Sequence, residues 1–406
     1  MPSIDGLLRS TPGCGGPQGG LESDKMRHRT IRSMRSGPRT WLRAAFIAVS
    51  ALAISACAYL QHPKFGKLPE EADLARIERS PNYVNGEFKN PVETPMFTEG
   101  ASFTSVLLGN LFSQVAGRRP DKPIPTVKTD LKALDIERDT VVWLGHSSYF
   151  VQLGGRRLLI DPVFSSYAAP VPISNRAFPG TGIYTAEDMP PIDYLLITHD
   201  HWDHLDWASV TAMQAKVKNV ITALGVGSHL RYWGYPANQV HEGDWFDAIA
   251  LEPGFVVHVV PARHFSGRLL TRNRTLWAGF VLEASGKRLL FGGDSGYGPH
   301  IADIAAKFPS FDLVSLDSGQ YDRRWAYLHM TPEETADAAE LLRAKLLLPA
   351  HVGRFAMGVH PWDQPFKRIA AASANRDFRL LMPRIGEPVW LDGSTQHFSE
   401  WWARAD

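Results

Sequence analysis

The stretch from Thr198 to Asp206, with the sequence THDHWDHLD, concentrates the side chains best suited to chemistry. It holds three histidines and three aspartates in nine residues. A structural loop has little use for that density, whereas a metal site needs several nitrogen and oxygen ligands that converge on one point. The run before it, Asp193 to Ile197, predicts a short buried strand. The predicted ligands therefore lie in a loop at a strand end, positioned by a rigid element and open to substrate.

Single histidines and an aspartate later in the chain could complete such a site. Each follows a β-like run, and they are His264, Asp294, His329 and His351. Taken alone, each would be an ordinary buried histidine or turn aspartate. The two cysteines, Cys14 and Cys57, both lie near the N-terminus, so none remains in the body of the chain. Any metal there must be held by histidine and aspartate.

The order of these residues resembles that of a known family. The pattern His-x-His-x-Asp-His, followed by single His, Asp and His residues, resembles the metallo-β-lactamase fold hydrolases. A finer resemblance, over about residues 138–395, is to N-acyl-phosphatidylethanolamine-hydrolysing phospholipase D and its bacterial relatives. The motifs that carry it are Gly145 to Ser148, Asp161 to Phe164, Thr198 to Asp206, Pro261 to Ser266, Leu276 to Phe280, Gly292 to Tyr297, His329 to Glu334 and Ala350 to Gly353.

This resemblance implies two zinc ions (Zn²⁺) and a complete ligand set. The implied ligands of one ion are His199, His201 and His264, and those of the other are Asp203, His204 and His351. Asp294 would bridge both ions and would be one catalytic residue. The other would be His329, which would line the site and either bind a phosphate oxygen or shuttle a proton.

Other polar residues near these motifs are expected to support the site. Asp200 and Asp206 are expected to orient ligands or to cap a helix. His146 is expected to be a supporting or structural residue, with a direct catalytic role as the alternative. Arg263 and Arg268 are expected to pair with a substrate phosphate, with a structural ion pair as the alternative for Arg263.

The function that the resemblance implies is hydrolysis of a phosphodiester. The predicted substrate is an (N-acyl)phosphatidylethanolamine-like phospholipid, cleaved to phosphatidic acid and its head group. Because this fold hosts many chemistries, a lactone, a cyclic phosphodiester or a β-lactam remains an alternative substrate. A third hypothesis is a non-enzymatic envelope lipoprotein that binds zinc for structural reasons.

The elements that must position these residues are short strands with intervening helices. Runs such as Thr140 to Leu144, Tyr149 to Leu153 and Arg157 to Ile160 predict strands. A helix is predicted from Pro332 to Ala344, because Thr331 provides an N-cap and proline suits the first helical position. Periodicity alone does not select a fold, but the resemblance implies an α/β protein with a four-layer αββα sandwich.

Charge and composition exclude one class of partner. The chain has 44% hydrophobic and 21% charged residues, and its formal net charge is +1. Its excess of basic residues is confined to the first 56 positions. Binding to nucleic acid is not expected, because phosphate backbones require a basic surface.

The N-terminal segment predicts export and anchoring. Arg27 to Arg43 is basic, and Ala44 to Ala56 is an apolar run of thirteen residues that suits a signal peptide and is too short to span a membrane. The ending Ile54-Ser55-Ala56-Cys57 resembles a bacterial lipobox, which implies a lipid on Cys57 and a place in the cell envelope, at the outer membrane or periplasmic face. An uncleaved anchor helix is the alternative.

We therefore divide the chain into three predicted segments. Residues 1–57 form the signal and lipoprotein anchor, 58–137 a tether and lead-in, and 138–406 the hydrolase domain. Residues 1–25 are expected to be disordered. The stretch from Phe103 to Phe112 predicts an amphipathic helix that either packs on the core or touches lipid. Because members of the family often dimerise, the resemblance leaves a homodimer open.

Overall fold

The computed structural model describes residues 38–98, 100–112, 115–268 and 271–403. The chain divides into two compact units, residues 1–59 and 60–406. The predictions for Cys14 and for residues 1–25 lie outside the described residues. The helices are α1 (Pro38–Leu60), α2 (Ala72–Ile77), α3 (Phe103–Leu111), α4 (Trp207–Met213), α5 (Gly227–Tyr232), α6 (His300–Lys307), α7 (Pro332–Leu341) and α8 (Gln364–Ala372).

Helix α1 is the described element of the first unit. Its portion Trp41–Leu60 is long and apolar enough to cross a membrane, and none of that window is buried. The helix is longer than the apolar run in the sequence because it continues through the exposed Cys57 to Leu60. An N-terminal signal sequence passes the same test of length and composition, so α1 is compatible with either form of the N-terminal segment.

The second unit is built on two large sheets and one small hairpin. The strands are β1 (Tyr83–Val84), β2 (Glu87–Phe88), β3 (Thr140–Gly145), β4 (Ser148–Leu153), β5 (Arg156–Ile160), β6 (Ile192–Ile197), β7 (Val217–Ala223), β8 (Val240–Gly243), β9 (Ala248–Glu252), β10 (Phe255–Val260), β11 (Gly279–Ala284), β12 (Lys287–Phe291), β13 (Leu313–Asp317), β14 (Leu346–Ala350), β15 (Arg379–Leu380) and β16 (Pro388–Trp390). The first sheet has the order β16-β3-β4-β5-β6-β7-β8 and the second β15-β14-β13-β12-β11-β10-β9.

The two sheets pack face to face and form the core. The ring of Tyr149 on β4 lies 5.0 Å from that of Phe291 on β12, and the Ser315 hydroxyl on β13 donates to the Tyr149 hydroxyl at 2.7 Å. Every residue of β3 and β4 is buried. Strands covered on both faces are apolar on both faces, which explains their continuous hydrophobic runs. Helix α7 packs on β13, with α6 and α8 beside it. The predicted αββα sandwich is therefore confirmed.

The parallel strands determine where the site lies. Strands β5 and β6 are parallel neighbours in the first sheet, and β12, β13 and β14 are parallel neighbours in the second. The carboxyl ends of parallel strands meet at one edge of a sheet, where ligand sites usually form. The residues at these ends are Asp161 after β5, Thr198 to Asp206 after β6, Asp294 after β12, Asp317 ending β13 and His351 after β14.

The lead-in from residue 60 to residue 137 belongs to the same compact unit as the sheets. Ile77 and Phe88 are fully buried in the main hydrophobic core. The Asn90 amide donates to the His264 carbonyl at 2.8 Å, next to a predicted ligand. The sequence of this segment has no clear hydrophobic period, and it therefore predicts a tether. The structure gives the reason: the residues that the segment buries are few and widely spaced.

The two predicted helices form as α3 and α7, and they differ from the prediction in packing or in length. Helix α3 has a capping box between Ser102 and Ser105, and Phe103, Leu108 and Phe112 are 60%, 55% and 70% exposed. These three side chains do not pack in the core. Helix α7 has the predicted Thr331 cap but ends at Leu341 rather than Ala344, because Arg343 adopts a positive φ of 51° that a helix cannot continue through.

We expect Ile77→Ala to lower the free energy of unfolding by about 2–5 kcal/mol, because it removes fully buried methyl groups and leaves a cavity. Val84→Ala, at a 45% exposed position of the same lead-in, is the matched control and is expected to change it by about 0.5 kcal/mol or less. Denaturant unfolding measures both. Equal effects would contradict a core role for the lead-in.

Candidate metal centre

Four predicted ligands form a first group at the edge of the sheets. His199 Nε2 lies 2.9 Å from His201 Nδ1, and His264 Nε2 lies 3.2 Å from the same atom. Asp294 Oδ2 lies 4.0 Å from His199 Nε2 and 3.7 Å from His264 Nε2. One ligand atom from each of the four residues lies within 4.8 Å of the others. The loop after β6 and two remote residues thus converge as predicted.

The remaining predicted ligands form a second group around the same aspartate. Asp203 Oδ2 lies 3.1 Å from His351 Nε2 and 3.5 Å from His204 Nε2. Asp294 Oδ1 lies 3.1 Å from His204 Nε2, and its Oδ2 lies 3.2 Å from His351 Nε2. The carboxylate of Asp294 therefore faces both groups. The ring of His146 also belongs to the second group.

The donor atoms fit a pair of metal ions. Zinc–nitrogen bonds of about 2.0–2.1 Å at tetrahedral angles place neighbouring ligand atoms about 3.3 Å apart, close to the spacings above. His204 Nε2 and Asp294 Oδ1 are buried and lie 3.1 Å apart, but neither makes a well-directed hydrogen bond to a residue that the structure describes. Buried polar atoms of this kind require an explanation, and a bound cation is one. Imidazole nitrogen and carboxylate oxygen are ligands that zinc accepts.

The electrostatics of the first group favour neutral imidazoles. Burial lowers the pKa of His199 and of His264 well below the ordinary value, and it lowers the pKa of His201 to about 4. These rings are therefore uncharged at neutral pH. A histidine must be neutral to ligate a metal, so the three rings are ready to bind.

The second group attracts positive charge. Burial opposes charge on Asp294, but His204 and His351 outweigh it and hold the pKa of that carboxyl well below its usual range. Burial by itself would lower the pKa of His204. The negative charges of Asp294 and Asp203 have the larger effect, so that pKa is raised well above the usual value. Buried carboxylates of this kind need a compensating cation, and a metal ion would supply it in place of protons.

Asp161 orients a predicted ligand. Its Oδ2 accepts a hydrogen bond from His204 Nδ1 at 2.8 Å and from the Thr198 hydroxyl at 2.6 Å. A carboxylate that holds the far nitrogen of a ligating histidine sets the tautomer and the ring orientation. Sequence reasoning placed Asp161 in a matching motif without giving it a role. Its orienting role could have been inferred from its position, because Asp161 directly follows a buried strand at the same sheet edge as the histidine loop.

Asp317 plays the corresponding part in the second sheet. Its Oδ2 accepts from His329 Nδ1 at 2.7 Å, and its Oδ1 lies 3.5 Å from His351 Nδ1. The ring of His329 stacks on that of His351 at 4.8 Å. Sequence reasoning missed Asp317, which is the last residue of β13. One ligand atom from each of His329, Asp294 and His351 lies within 4.8 Å of the others, so His329 lines the second metal group.

Two further aspartates of the histidine loop hold the surrounding backbone. Asp206 caps α4 by accepting from the Ser209 amide. Asp200 accepts from the Gly267 amide at 2.6 Å, and its Oδ2 lies 3.3 Å from His229 Nε2. His229, which has no motif around it, is buried and links this loop to the lead-in. Both aspartates thus have the supporting or capping roles that were expected.

The two arginines near the site form structural contacts. Arg268 is buried and donates to the carbonyls of Asp200, Leu205 and Lys64 at 2.7–2.8 Å. Arg263 donates to the Tyr297 carbonyl at 2.9 Å and to the lead-in. This geometry favours a structural role for both arginines, including Arg268, for which only phosphate pairing was expected. Both guanidinium groups make hydrogen bonds that hold loops in place.

A cavity of about 440 Å³ adjoins the metal groups through His329. It offers space for a substrate next to the predicted ligands. Its walls combine charged, polar, aromatic and aliphatic side chains, namely Tyr321, Asp322, Arg323, Ala326, His329, Thr331, Glu334, Val359, His360, Gln364 and Arg368.

Comparison with known proteins shows a shared fold. Residues 156–352 match the model of the beta-lactamase superfamily domain. A solved structure of an isothiocyanate hydrolase from Delia radicum gut bacteria aligns with a TM-score of 0.50 at 18% identity, over 62% of this chain and 98% of that one. The outer membrane protein RomA of Klebsiella pneumoniae is 54% identical over 98 residues, which cover 24% of this chain and 74% of that protein.

Two longer matches establish the family. An uncharacterized protein of Mycobacterium tuberculosis is 36% identical over 341 residues, which cover 82% of this chain and 91% of that protein. An N-acyl-phosphatidylethanolamine-hydrolyzing phospholipase D of Caenorhabditis elegans is 27% identical over 351 residues, which cover 77% of this chain and 97% of that protein. Together with the family model and the two His/Asp groups, these matches show that the chain belongs to the metallo-β-lactamase fold hydrolases, enzymes that depend on metal.

Proposed function

We propose that the protein is a zinc-dependent phosphodiesterase of the phospholipase D type. Its substrate would be an (N-acyl)phosphatidylethanolamine-like phospholipid, which it would cleave to phosphatidic acid and the head group. The observation that carries this proposal is the pair of His/Asp groups on either side of Asp294, which belongs to the first group and lies 3.1 Å from His204 and 3.2 Å from His351 of the second. Two metal ions a few ångströms apart suit the in-line displacement of a phosphoryl group. The relative from Caenorhabditis elegans named for this activity, at 27% identity, supports the same substrate class.

The contacts around the two metal groups suggest a role for each residue of the site. When bound, two zinc ions would supply a nucleophile from water at neutral pH and would stabilise charge on the phosphoryl oxygens. Asp161 and Asp317 hold the far sides of His204 and His329. His329, whose Nδ1 faces Asp317, has its Nε2 left for the cavity and would protonate the leaving oxygen of the head group.

The proposed location is the bacterial cell envelope, with a lipid on Cys57 as the membrane anchor. Cys57 is exposed, and it closes a sequence that resembles a lipobox. Anchoring suits the proposed substrate, because a tethered enzyme meets a phospholipid in the membrane that contains it.

The substrate is tested with the full-length protein and vesicles of N-acyl-phosphatidylethanolamine. We expect about two zinc ions per chain by atomic emission and release of phosphatidic acid by mass spectrometry. Asp294→Ala should lower zinc content and reduce turnover at least about 10³-fold, because several kcal/mol of transition-state stabilisation are lost. Asp303→Ala, at an exposed aspartate of α6, is the control and should change neither quantity.

Other outcomes of that assay would point to other functions. Two zinc ions with turnover only of lactones, cyclic phosphodiesters or β-lactams would replace the phospholipid by one of those substrates. Loss of the folded state on chelation, with no turnover of any ester, would indicate a structural zinc protein.

We expect His329→Ala to reduce turnover about 10²–10⁴-fold while zinc content stays at the wild-type value, because a proton donor is lost and no ligand is. His258→Ala provides the histidine control, since that residue pairs with Glu283 on the second sheet. Turnover and metal content are measured on the same preparations. Wild-type turnover, or a loss of zinc in the His329 variant, would contradict the assigned role.

We expect Cys57→Ser to abolish lipidation, because serine lacks the thiol that carries the lipid. Intact-protein mass spectrometry of the membrane fraction should show a wild-type chain that begins at a lipidated Cys57 and an uncleaved variant. Ser50→Ala is the control for a change inside the apolar run. A wild-type chain that retains residues 1–56 would instead support an uncleaved anchor helix.

A further inference from the structure

His146 occupies a strained position between the two sheets. It lies in the turn between β3 and β4 with φ of 57°, in the left-handed region that residues other than glycine adopt only uncommonly. Such a conformation costs about 1–3 kcal/mol and persists only where the surroundings hold it. Here the His146 amide donates to the Val352 carbonyl at 3.1 Å, and the His146 carbonyl accepts from the His351 amide at 3.2 Å. This backbone bridge joins the first sheet to the loop after β14.

The bridge directs the His146 ring into the second metal group. The side chain is fully buried, and its Nε2 lies 2.9 Å from Asp203 Oδ2. The ring centroids of His146 and His351 are 4.2 Å apart. By distance alone, His146 could be a further ligand of the second metal or a hydrogen-bond donor to Asp203.

The far ring nitrogen distinguishes these two roles. In three predicted ligands, the ring nitrogen that faces away from the metal groups has a hydrogen-bond partner, and the contacts are His199 with Thr198, His204 with Asp161 and His264 with the Leu328 carbonyl. His351 Nδ1 makes no hydrogen bond among the described residues, but it lies 3.5 Å from the Asp317 carboxylate. His146 Nδ1 is buried and has no hydrogen-bond partner among the residues that the structure describes. His146 therefore lacks the supporting contact that ligating histidines almost always have.

The proton of a neutral ring therefore belongs on Nε2. If His146 ligated a metal through Nε2, its proton would lie on Nδ1, and a buried N–H donor would remain unpaired at a cost of about 1–3 kcal/mol. If the proton lies on Nε2, it makes a hydrogen bond to the Asp203 carboxylate, of the strong charge-assisted kind. Only a bare lone pair is then left on Nδ1.

We propose that His146 is a positioning residue that donates its Nε2 proton to Asp203 Oδ2 and so fixes the carboxylate of Asp203 toward the second metal. It is not itself a metal ligand. The turn between β3 and β4 thereby sets the geometry of a loop that follows β6. This inference rests on the dinuclear metal site of the proposed function.

The test compares the same substitution at His146 and at a predicted ligand. Glutamine places an amide N–H near the position of Nε2, so His146→Gln should keep two metal ions per chain. His204→Gln should retain only one. His146→Phe fills a similar volume without a donor and should weaken uptake of the second ion about 10–100-fold. Metal content of the full-length proteins is measured by atomic emission at graded free Zn²⁺, with circular dichroism to confirm folding.

Cobalt(II) loading provides a second measurement. The visible absorption of the second cobalt ion should be the same in wild type and in His146→Gln, because the proposed coordination is unchanged. Loss of the second ion or of its absorption in His146→Gln, as in His204→Gln, would make His146 a ligand and overturn the proposal. Wild-type uptake by a folded His146→Phe would overturn it as well. If that variant does not fold, the comparison of the two glutamine variants decides.

The same titration separates this inference from the function on which it rests. A wild-type chain that binds fewer than two ions would refute the dinuclear centre itself. If the wild-type chain binds two ions, the metal content of the His146 variants decides whether His146 positions Asp203 or ligates the metal.

Discussion

The attraction between buried carboxylates and the ring nitrogens around them is the constraint on which this protein depends. Asp294 lies between two groups of histidines, with one oxygen 3.1 Å from His204 of the second group and the other 3.7 Å from His264 of the first. A carboxylate this deeply buried is costly unless charge or metal compensates it. The surrounding fold must therefore present nitrogen atoms from several chain segments at one place, and that requirement shapes the loops of both sheets.

The backbone near the metal groups adopts unusual conformations where the ligands converge. Gly293, just before Asp294, has φ of 64°, and a Cβ there would lie 2.8 Å from the Ala278 carbonyl, so only glycine fits. His146 and His351 both adopt positive φ and hydrogen-bond to each other's segment. These strained residues join the two sheets at the point where the metal groups form. Strain of this kind is held by surrounding packing and collects at functional sites.

Much of the centre could be predicted from the sequence, because ligand types and their order are local properties. The loop from Thr198 to Asp206 and the motif around Asp294 each identify candidate ligands without knowledge of the fold. Asp161 and Asp317 were not predicted as orienting groups. An aspartate at a strand end is common, and Asp161 contacts a histidine 43 positions away. The packing of Ile77 and Phe88 was missed for a similar reason, since isolated apolar residues have no period.

The sequence by itself determined the family, the sandwich fold and the kinds of donor atom available, and hence a hydrolase that depends on metal. Only the tertiary structure decided which donors meet, that Asp294 faces both groups, and that His146 reaches Asp203. It also decided that Arg263 and Arg268 brace loops. The physical reason is that side-chain chemistry is carried by each residue alone, whereas distances between residues depend on long-range pairing of strands. Here that pairing brings the strand ends of two sheets to one edge.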